Sequence, residues 1–216
     1  MTTTIRASIR REYGGTEVVH VADVPAPTIT DEQVLVDVHA AGVDRGVWHL
    51  MVGEPLVVRP VFGVRRPRQP ILGTDVAGVV RAVGSKVTTL KVGDEVYGGC
   101  NGSFAEQVAA KPSSLALKPA SLTFEEAATI PVSALTALQA LRDRTRVQPG
   151  QRVLVVGASG GVGVYAVQIA VAMGAEVTAV CSGAKGEAVR ALGAHHVLDY
   201  TRQAIGDLGR HDVILD

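Results

Sequence analysis

Apolar positions along the chain follow two different periods, and the change between them divides the sequence. Up to about Lys118, short runs alternate apolar and polar residues and are broken by Gly and Pro. They are Ile5 to Arg10, Val18 to Val24, Gln33 to Ala40, Val76 to Val83 and Phe104 to Ala110. A period of two turns one face of each run toward a core, so this half predicts a compact β domain with irregular loops. From about Ser121 onward, apolar runs alternate with helical stretches, the pattern of a parallel α/β sheet. Pro119 closes the first region. A short helix is expected from Ser121 through Ile130, with Glu125 and Glu126 in its first turn, ended by Pro131. A second is expected over Ala134 to Arg144, stopping before Pro149-Gly150. The reading is two domains, residues 1–120 and 121–216, of overall α/β class.

Within the second domain four runs read as strands: Val153 to Val156, Glu176 to Val180, His196 to Asp199 and Asp212 to Asp216. In a doubly wound sheet they take the spatial order 3-2-1-4, with a ligand crevice where the winding reverses, between the first and the fourth. A complete sheet of this type has six strands. Four of six implies a C-terminally truncated chain, since a naturally minimal sheet would leave an apolar edge open to aggregation.

The turn after the first of these strands carries the strongest chemical signal. Residues Val153 to Val177 read VLVVGASGGVGVYAVQIAVAMGAEV, and Val162, Ala166, Ile169, Ala170 and Met173 recur at helical spacing, so a helix begins close to Gly163. Gly160 and Gly163 fit the G-x-G-x-x-G fingerprint, with Ala158 where the first glycine usually stands. A helix N-terminus offers unpaired N–H groups and a positive dipole end to a pyrophosphate. Strand, turn, helix and second strand in this order make Ala158, Ser159, Gly160, Gly161, Val162 and Gly163 the expected dinucleotide cradle.

Composition narrows the classes. The 216 residues carry 21 Lys plus Arg and 21 Asp plus Glu, a formal net charge of zero, which argues against a nucleic-acid-binding surface. The basic cluster Arg59, Arg65, Arg66 and Arg68 is interrupted by Pro60, Pro67 and Pro70 and reads as a solvated loop. Two cysteines, Cys100 and Cys181, give no disulfide framework and no metal cluster, so a reducing cytoplasm is expected. No segment approaches the ~20 apolar residues that span a bilayer, and no secretory leader is recognisable, so no membrane association is expected.

Several stretches together resemble the medium-chain dehydrogenase/reductase superfamily, and within it the zinc-independent quinone oxidoreductase branch. They are AAGVDRGVWHLMVGEP, PILGTDVAGVVRAVGSKVTTLKVGDEVYG, GSFAEQV, IPVSALTALQAL and ASGGVGVYAVQIA, in the family's order and across essentially the whole chain. The resemblance implies a GroES-like β domain followed by a Rossmann domain, with the active cleft between them. It also implies a full-length form able to make homodimers. Where the zinc-dependent branch has its catalytic cysteine and its His-Glu pair, this chain has Asp44 and Thr74-Asp75, so thiolate and imidazole ligands are missing there. Metal-free chemistry follows. Without a Lewis acid, alkoxide stabilisation is lost, and hydride transfer to a quinone or conjugated enone is favoured over alcohol dehydrogenation.

The cofactor follows from the end of the second Rossmann strand, where NAD enzymes place an acid for the ribose hydroxyl. The sequence has Ser182, Gly183 and Lys185 instead. The resemblance places Lys185 and Tyr200 beside a 2′-phosphate and Thr136 near the nicotinamide, so NADPH is expected ahead of NADH. On the substrate side, Asp44 stands where relatives carry an asparagine, the later acid of that segment is replaced by Val47, and His49 stands where relatives place a pocket tyrosine. Asp44 and His49 are the candidate catalytic residues, Asp44 favouring a positive nicotinamide ring and His49 as a proton donor. Each also has a plainer role open to it, Asp44 as a turn residue and His49 as pocket lining. Two further readings stand beside the reductase: a cofactor-binding scaffold without turnover, and an inactive fragment of a longer reductase.

Overall fold

In the computed structural model, which describes residues 3–204, 206 and 209–216, the alternating runs of the N-terminal half become antiparallel strands. Strand β1 (Thr4–Ile9) pairs with β2 (His20–Pro25), Ile9 opposite His20. The expected run from Val18 starts instead with a short 3-10 turn, Thr16–Val18. Next come β3 (Val34–Gly42), helix α1 (Arg45–Val52), the four-residue α2 (Arg59–Phe62) and β4 (Asp75–Val83). Strands β5 (Glu95–Gly99), β6 (Gln107–Ala110) and β7 (Leu115–Leu117) complete a five-stranded sheet of order β6-β3-β4-β5-β7. Its inward face is dense with β-branched residues: Val34, Val36, Val76, Val80, Val96 and Val108 are buried in one cluster. Strands β5 and β7 carried no readable signal, since EVYGG ends in two glycines and LAL is three residues long.

Helix α3 (Phe124–Ala128) is shorter than the sequence suggests because a capping box fixes its start. Thr123 Oγ1 accepts from the Glu126 N–H at 3.2 Å, and Glu126 reaches back to the Thr123 N–H at 2.9 Å. Its Ala127 and Ala128 are buried with Ala77, and Phe124, Tyr97 and Ala40 pack around them. The two compact units of the chain are Met1–Val132 and Ser133–Asp216.

Helix α4 (Pro131–Leu138) begins at the proline expected only to break the preceding helix, because a proline lacks an N–H that a first turn would leave unpaired anyway. It widens into a π-type turn over Gln139–Arg144. In the second unit, β8 (Arg152–Val156), α5 (Gly161–Ala172), β9 (Glu176–Cys181), α6 (Gly186–Ala191), β10 (His196–Asp199) and β11 (Val213–Leu215) form a parallel sheet flanked by helices. The strand order β10-β9-β8-β11 is the expected 3-2-1-4. Both faces are covered: Val153, Val155, Val177 and Ala179 pack on Ala166, Val167 and Ala170 of α5, and Leu154, Val180 and Leu198 form a second cluster. Such two-sided burial is why these strands read as continuous apolar runs.

Candidate cofactor and acceptor sites

The glycine turn between β8 and α5 is built so that different glycines answer different demands. Gly157 adopts the left-handed region at φ 67°, and its carbonyl accepts from the Gly160 N–H at 2.8 Å. A Cβ on Gly163 would overlap the Gly157 carbonyl oxygen and lie 2.8 Å from the Ala158 Cα, so Gly163 is a packing requirement of helix against turn. A Cβ on Gly160 would meet only the Gly157 oxygen, at 3.2 Å, and this residue is exposed. Helix α5 starts at its Gly160 cap with no side-chain capping bond. Its first-turn N–H groups, on Gly161, Val162 and Gly163, have no intrahelical acceptor, the condition that makes a helix N-terminus attract negative charge.

Ala158 differs from the expected cradle. Its side chain is fully buried and its N–H donates to the Val180 carbonyl at 3.0 Å, so it anchors the turn to β9. Ser159 is half-buried within the turn. Ser133 of α4, which sequence reasoning passed over, comes close to the same place: a Cβ on Gly161 would lie 3.3 Å from its Oγ. Thr136 lies exposed on the same helix.

A second lip forms where β9 and β10 end side by side, with Cys181 paired to Asp199. Ser182 caps the 3-10 turn Gly183–Lys185, yet its hydroxyl makes no capping bond. Lys185 is exposed and, among the described residues, takes part in no ion pair. Tyr200 is exposed, its N–H donating to the Cys181 carbonyl at 3.3 Å.

Asp199, at the end of β10, brings a carboxylate beside the end of β9, where the sequence itself has no acid. Its Oδ1 accepts from the Thr201 hydroxyl at 2.7 Å and the Thr201 N–H at 3.0 Å, and Arg202 lies 3.6 Å from Oδ2. These bonds hold its carboxyl below the usual range, led by the Thr201 hydroxyl. A Cβ on Gly183 would run into this carboxylate, which explains the glycine. The place of Asp199 depends on the parallel register of β9 and β10, which the sequence does not state.

In the first unit, Asp44 caps α1. Its Oδ1 accepts from the Val47 N–H at 2.9 Å, and its Oδ2 accepts from the Thr74 hydroxyl at 3.4 Å. Asp44, Val47, Trp48 and Met51 share one helical face and line a largely apolar cleft of about 380 Å³ with Val43, Leu72 and Phe104. The Arg45 guanidinium stacks over Trp48 at 4.2 Å. His49 is not on this face: its Nδ1 lies 2.9 Å from the Glu54 carbonyl oxygen. A carbonyl only accepts, so Nδ1 carries the proton in this contact. The structure thus brings Asp44 to the cleft and leaves His49 outside its lining.

Behind Asp44, Asp75 is buried and accepts from the Val132 N–H at 3.2 Å. Burial pushes its carboxyl up to about 6, with the Asp44 charge adding to the rise and the Val132 bond opposing it. Burial, then the Asp75 charge, push the Cys100 thiol up to about 12, so it stays protonated. Among the described residues, no three His, Cys, Asp or Glu side chains converge as a metal site.

A glycine turn at the switch point of a parallel sheet, beside an antiparallel β unit, is the architecture of the dinucleotide-binding class of folds. Comparison with known proteins gives the family. The chain belongs to the medium-chain dehydrogenase/reductase superfamily: residues 30–139 match the alcohol dehydrogenase GroES-like domain and residues 161–216 match the zinc-binding dehydrogenase family. An NADPH-dependent alkenal/one oxidoreductase from Arabidopsis thaliana is 36% identical over 235 residues, covering 98% of this chain and 57% of that protein. A quinone oxidoreductase from Mus musculus is 35% identical, covering 95% of this chain and 64% of that protein. Among solved structures, the quinone oxidoreductase from Coxiella burnetii superposes with a TM-score of 0.90 at 29% identity, covering 99% of this chain and 68% of that one. The chain therefore spans roughly three-fifths of the length of these curated relatives. Among the described residues no helix is long and apolar enough to cross a membrane.

Proposed function

We propose that the chain serves an NADPH-dependent reductase that delivers hydride to a quinone or conjugated enone without a metal ion. The observation that carries this reading is the pairing of an uncapped α5 N-terminus with a lip of half-buried Ser182 and exposed Lys185 and Tyr200. The first-turn N–H groups would hold the pyrophosphate. Lys185, Tyr200 and the Ser182 hydroxyl would receive the 2′-phosphate, with Arg202 beside them adding positive charge. Asp199 stays ionised and works against a phosphate at this lip, a charge that Arg202 at 3.6 Å offsets in part.

When bound, NADPH supplies the hydride, an electron pair with one hydrogen, and water supplies the balancing proton. The apolar cleft along α1 would exclude water around the acceptor and orient it. Asp44, fixed by Val47 and Thr74, would favour positive charge developing on the nicotinamide. The metal-free reading is supported by the side chains at the family's zinc positions: Asp44, Thr74 and Asp75 offer neither thiolate nor imidazole. Two cysteines without a disulfide suit a reducing compartment such as the cytoplasm.

Lys185→Ala tests the cofactor assignment. Loss of a hydrogen bond to a phosphate is worth about 1.5–3 kcal/mol, or roughly 10- to 100-fold in affinity. NADPH affinity is expected to fall by that factor while NADH affinity stays within about twofold. Equal losses for both cofactors would remove the phosphate lip from the account.

A further inference from the structure

The lip at the ends of β9 and β10 carries an acid as well as cations. Asp199 pairs with Cys181, the last residue of β9, so its side chain stands beside the residues that follow, Ser182 and Gly183. A Cβ added to Gly183 would run into Asp199 Oδ2 and lie 3.1 Å from its Cγ. The space that a side chain at position 183 would fill is therefore filled by a carboxylate from β10. This is the neighbourhood in which a Rossmann sheet keeps the acid that tells a ribose hydroxyl from a ribose phosphate.

The carboxylate is fixed and charged. Thr201 gives Oδ1 two donors, its hydroxyl at 2.7 Å and its N–H at 3.0 Å. The Arg202 and Gln203 N–H groups close the turn onto the Asp199 carbonyl, each at 3.0 Å. The Asp199 side chain is still 20% exposed, so an approaching ligand meets its charge, and the Arg202 side chain 3.6 Å away is 84% exposed. Cys181 feels both signs at this spot. Burial pushes its thiol up first, the Asp199 charge adds to the rise, and the Lys185 charge opposes it. Lys185 and Asp199 therefore act on the same point of the lip.

A phosphate monoester carries a charge of about −1.5 to −2 at pH 7, whereas a hydroxyl carries none. Lys185 and Arg202 attract a 2′-phosphate, Asp199 repels it, and a 2′-hydroxyl feels little of either. On the proposed seating of the 2′-phosphate at Lys185, on which this rests, we infer that Asp199 is the specificity-determining residue of the lip. Its charge narrows the advantage of NADPH over NADH, so that the site takes both.

NADPH and NADH are titrated by fluorescence into the full chain, into Asp199→Asn and into Lys185→Ala, at low and at raised ionic strength. In Asp199→Asn the affinity for NADPH should rise about three- to tenfold, the effect of one like charge lifted from the edge of a solvated site, while that for NADH stays within about twofold. The gain should shrink as salt is raised, because it is electrostatic. If the asparagine amide, set against the Gly183 N–H that now donates to the carboxylate, keeps the chain from folding, Asp199→Ala decides the same question. Lys185→Ala keeps the two readings apart. NADPH affinity lost there but not gained in Asp199→Asn would leave the phosphate lip standing and remove Asp199 from its selectivity. No change for NADPH in either variant would remove the lip as well. An NADPH gain matched by an equal NADH gain, or one that salt leaves untouched, would also overturn the role of Asp199.

Discussion

The two glycines at the start of α5 should fail in opposite ways when a single methyl group is added to each. At Gly163 the new Cβ would overlap the Gly157 carbonyl oxygen and stand 2.8 Å from the Ala158 Cα and 2.9 Å from its carbonyl carbon. Those atoms are backbone, tied to β9 through the Ala158–Val180 hydrogen bond, so they cannot swing aside. Because the atoms met are fixed backbone, overpacking here falls in the upper part of the usual range, about 2–3 kcal/mol, offset by about 1 kcal/mol from the better helix propensity of alanine. The net loss is about 1–2 kcal/mol, or roughly 2–8 °C in melting temperature for a chain of this size.

At Gly160 the backbone, φ −82° and ψ 172°, suits any L residue, and the only close neighbour is 3.2 Å away. Gly160→Ala therefore loses at most about 1 kcal/mol, the cap preference of glycine over alanine. Its methyl would project on the exposed side, where a pyrophosphate has to approach, and NADPH affinity is expected to fall about tenfold or more, which is about 1.4 kcal/mol. Thermal melts and fluorescence titrations with NADPH on both variants read the two effects separately. A Gly163→Ala chain melting like the original would refute the packing argument. Unchanged NADPH affinity in Gly160→Ala would move the pyrophosphate away from this turn.

Asp75 sets a pH dependence of known sign. Folding raises its carboxyl from 3.8 to about 6, so the folded chain binds the proton more tightly. Stability from this group is fully present below about pH 4 and is lost as pH rises to about 6, by at most about 3 kcal/mol. In urea melts at pH 4.5 and pH 7, Asp75→Asn should remove that decline and still accept from Val132. The same decline surviving in the variant would assign it elsewhere. His49→Phe should keep the pH–rate profile of the parent, because the cleft wall is made by Asp44, Val47, Trp48 and Met51. The loss of a titrating limb would restore His49 as the proton donor.

The Rossmann half was the more legible part of the chain, for a physical reason. Strands buried on both faces need unbroken apolar runs, and parallel pairing needs helices between them, so VLVV, EVTAV and HVLD announce both themselves and their order. The β half is written more weakly: EVYGG becomes β5 and LAL becomes β7 only through neighbours supplied by tertiary pairing. The cofactor lip was partly readable, Ser182, Lys185 and Tyr200 from spacing and resemblance. Asp199, Arg202 and Ser133 were not, since their places depend on strand register and on the approach of α4 to the turn. His49 looked like a pocket residue by position, but its spacing from Asp44 puts it off the face that Val47, Trp48 and Met51 define.

The most direct test of the proposed hydride transfer uses NADPH carrying deuterium at both C4 positions and a small acyclic enone, with the protein first treated with a chelator. Product analysis by mass spectrometry and NMR should find one deuterium on the carbon β to the carbonyl and a solvent-derived hydrogen on the α-carbon, at the rate the untreated protein shows with the same labelled cofactor. A reduced product without deuterium, or turnover that returns only when zinc is added back, would contradict direct metal-free hydride transfer.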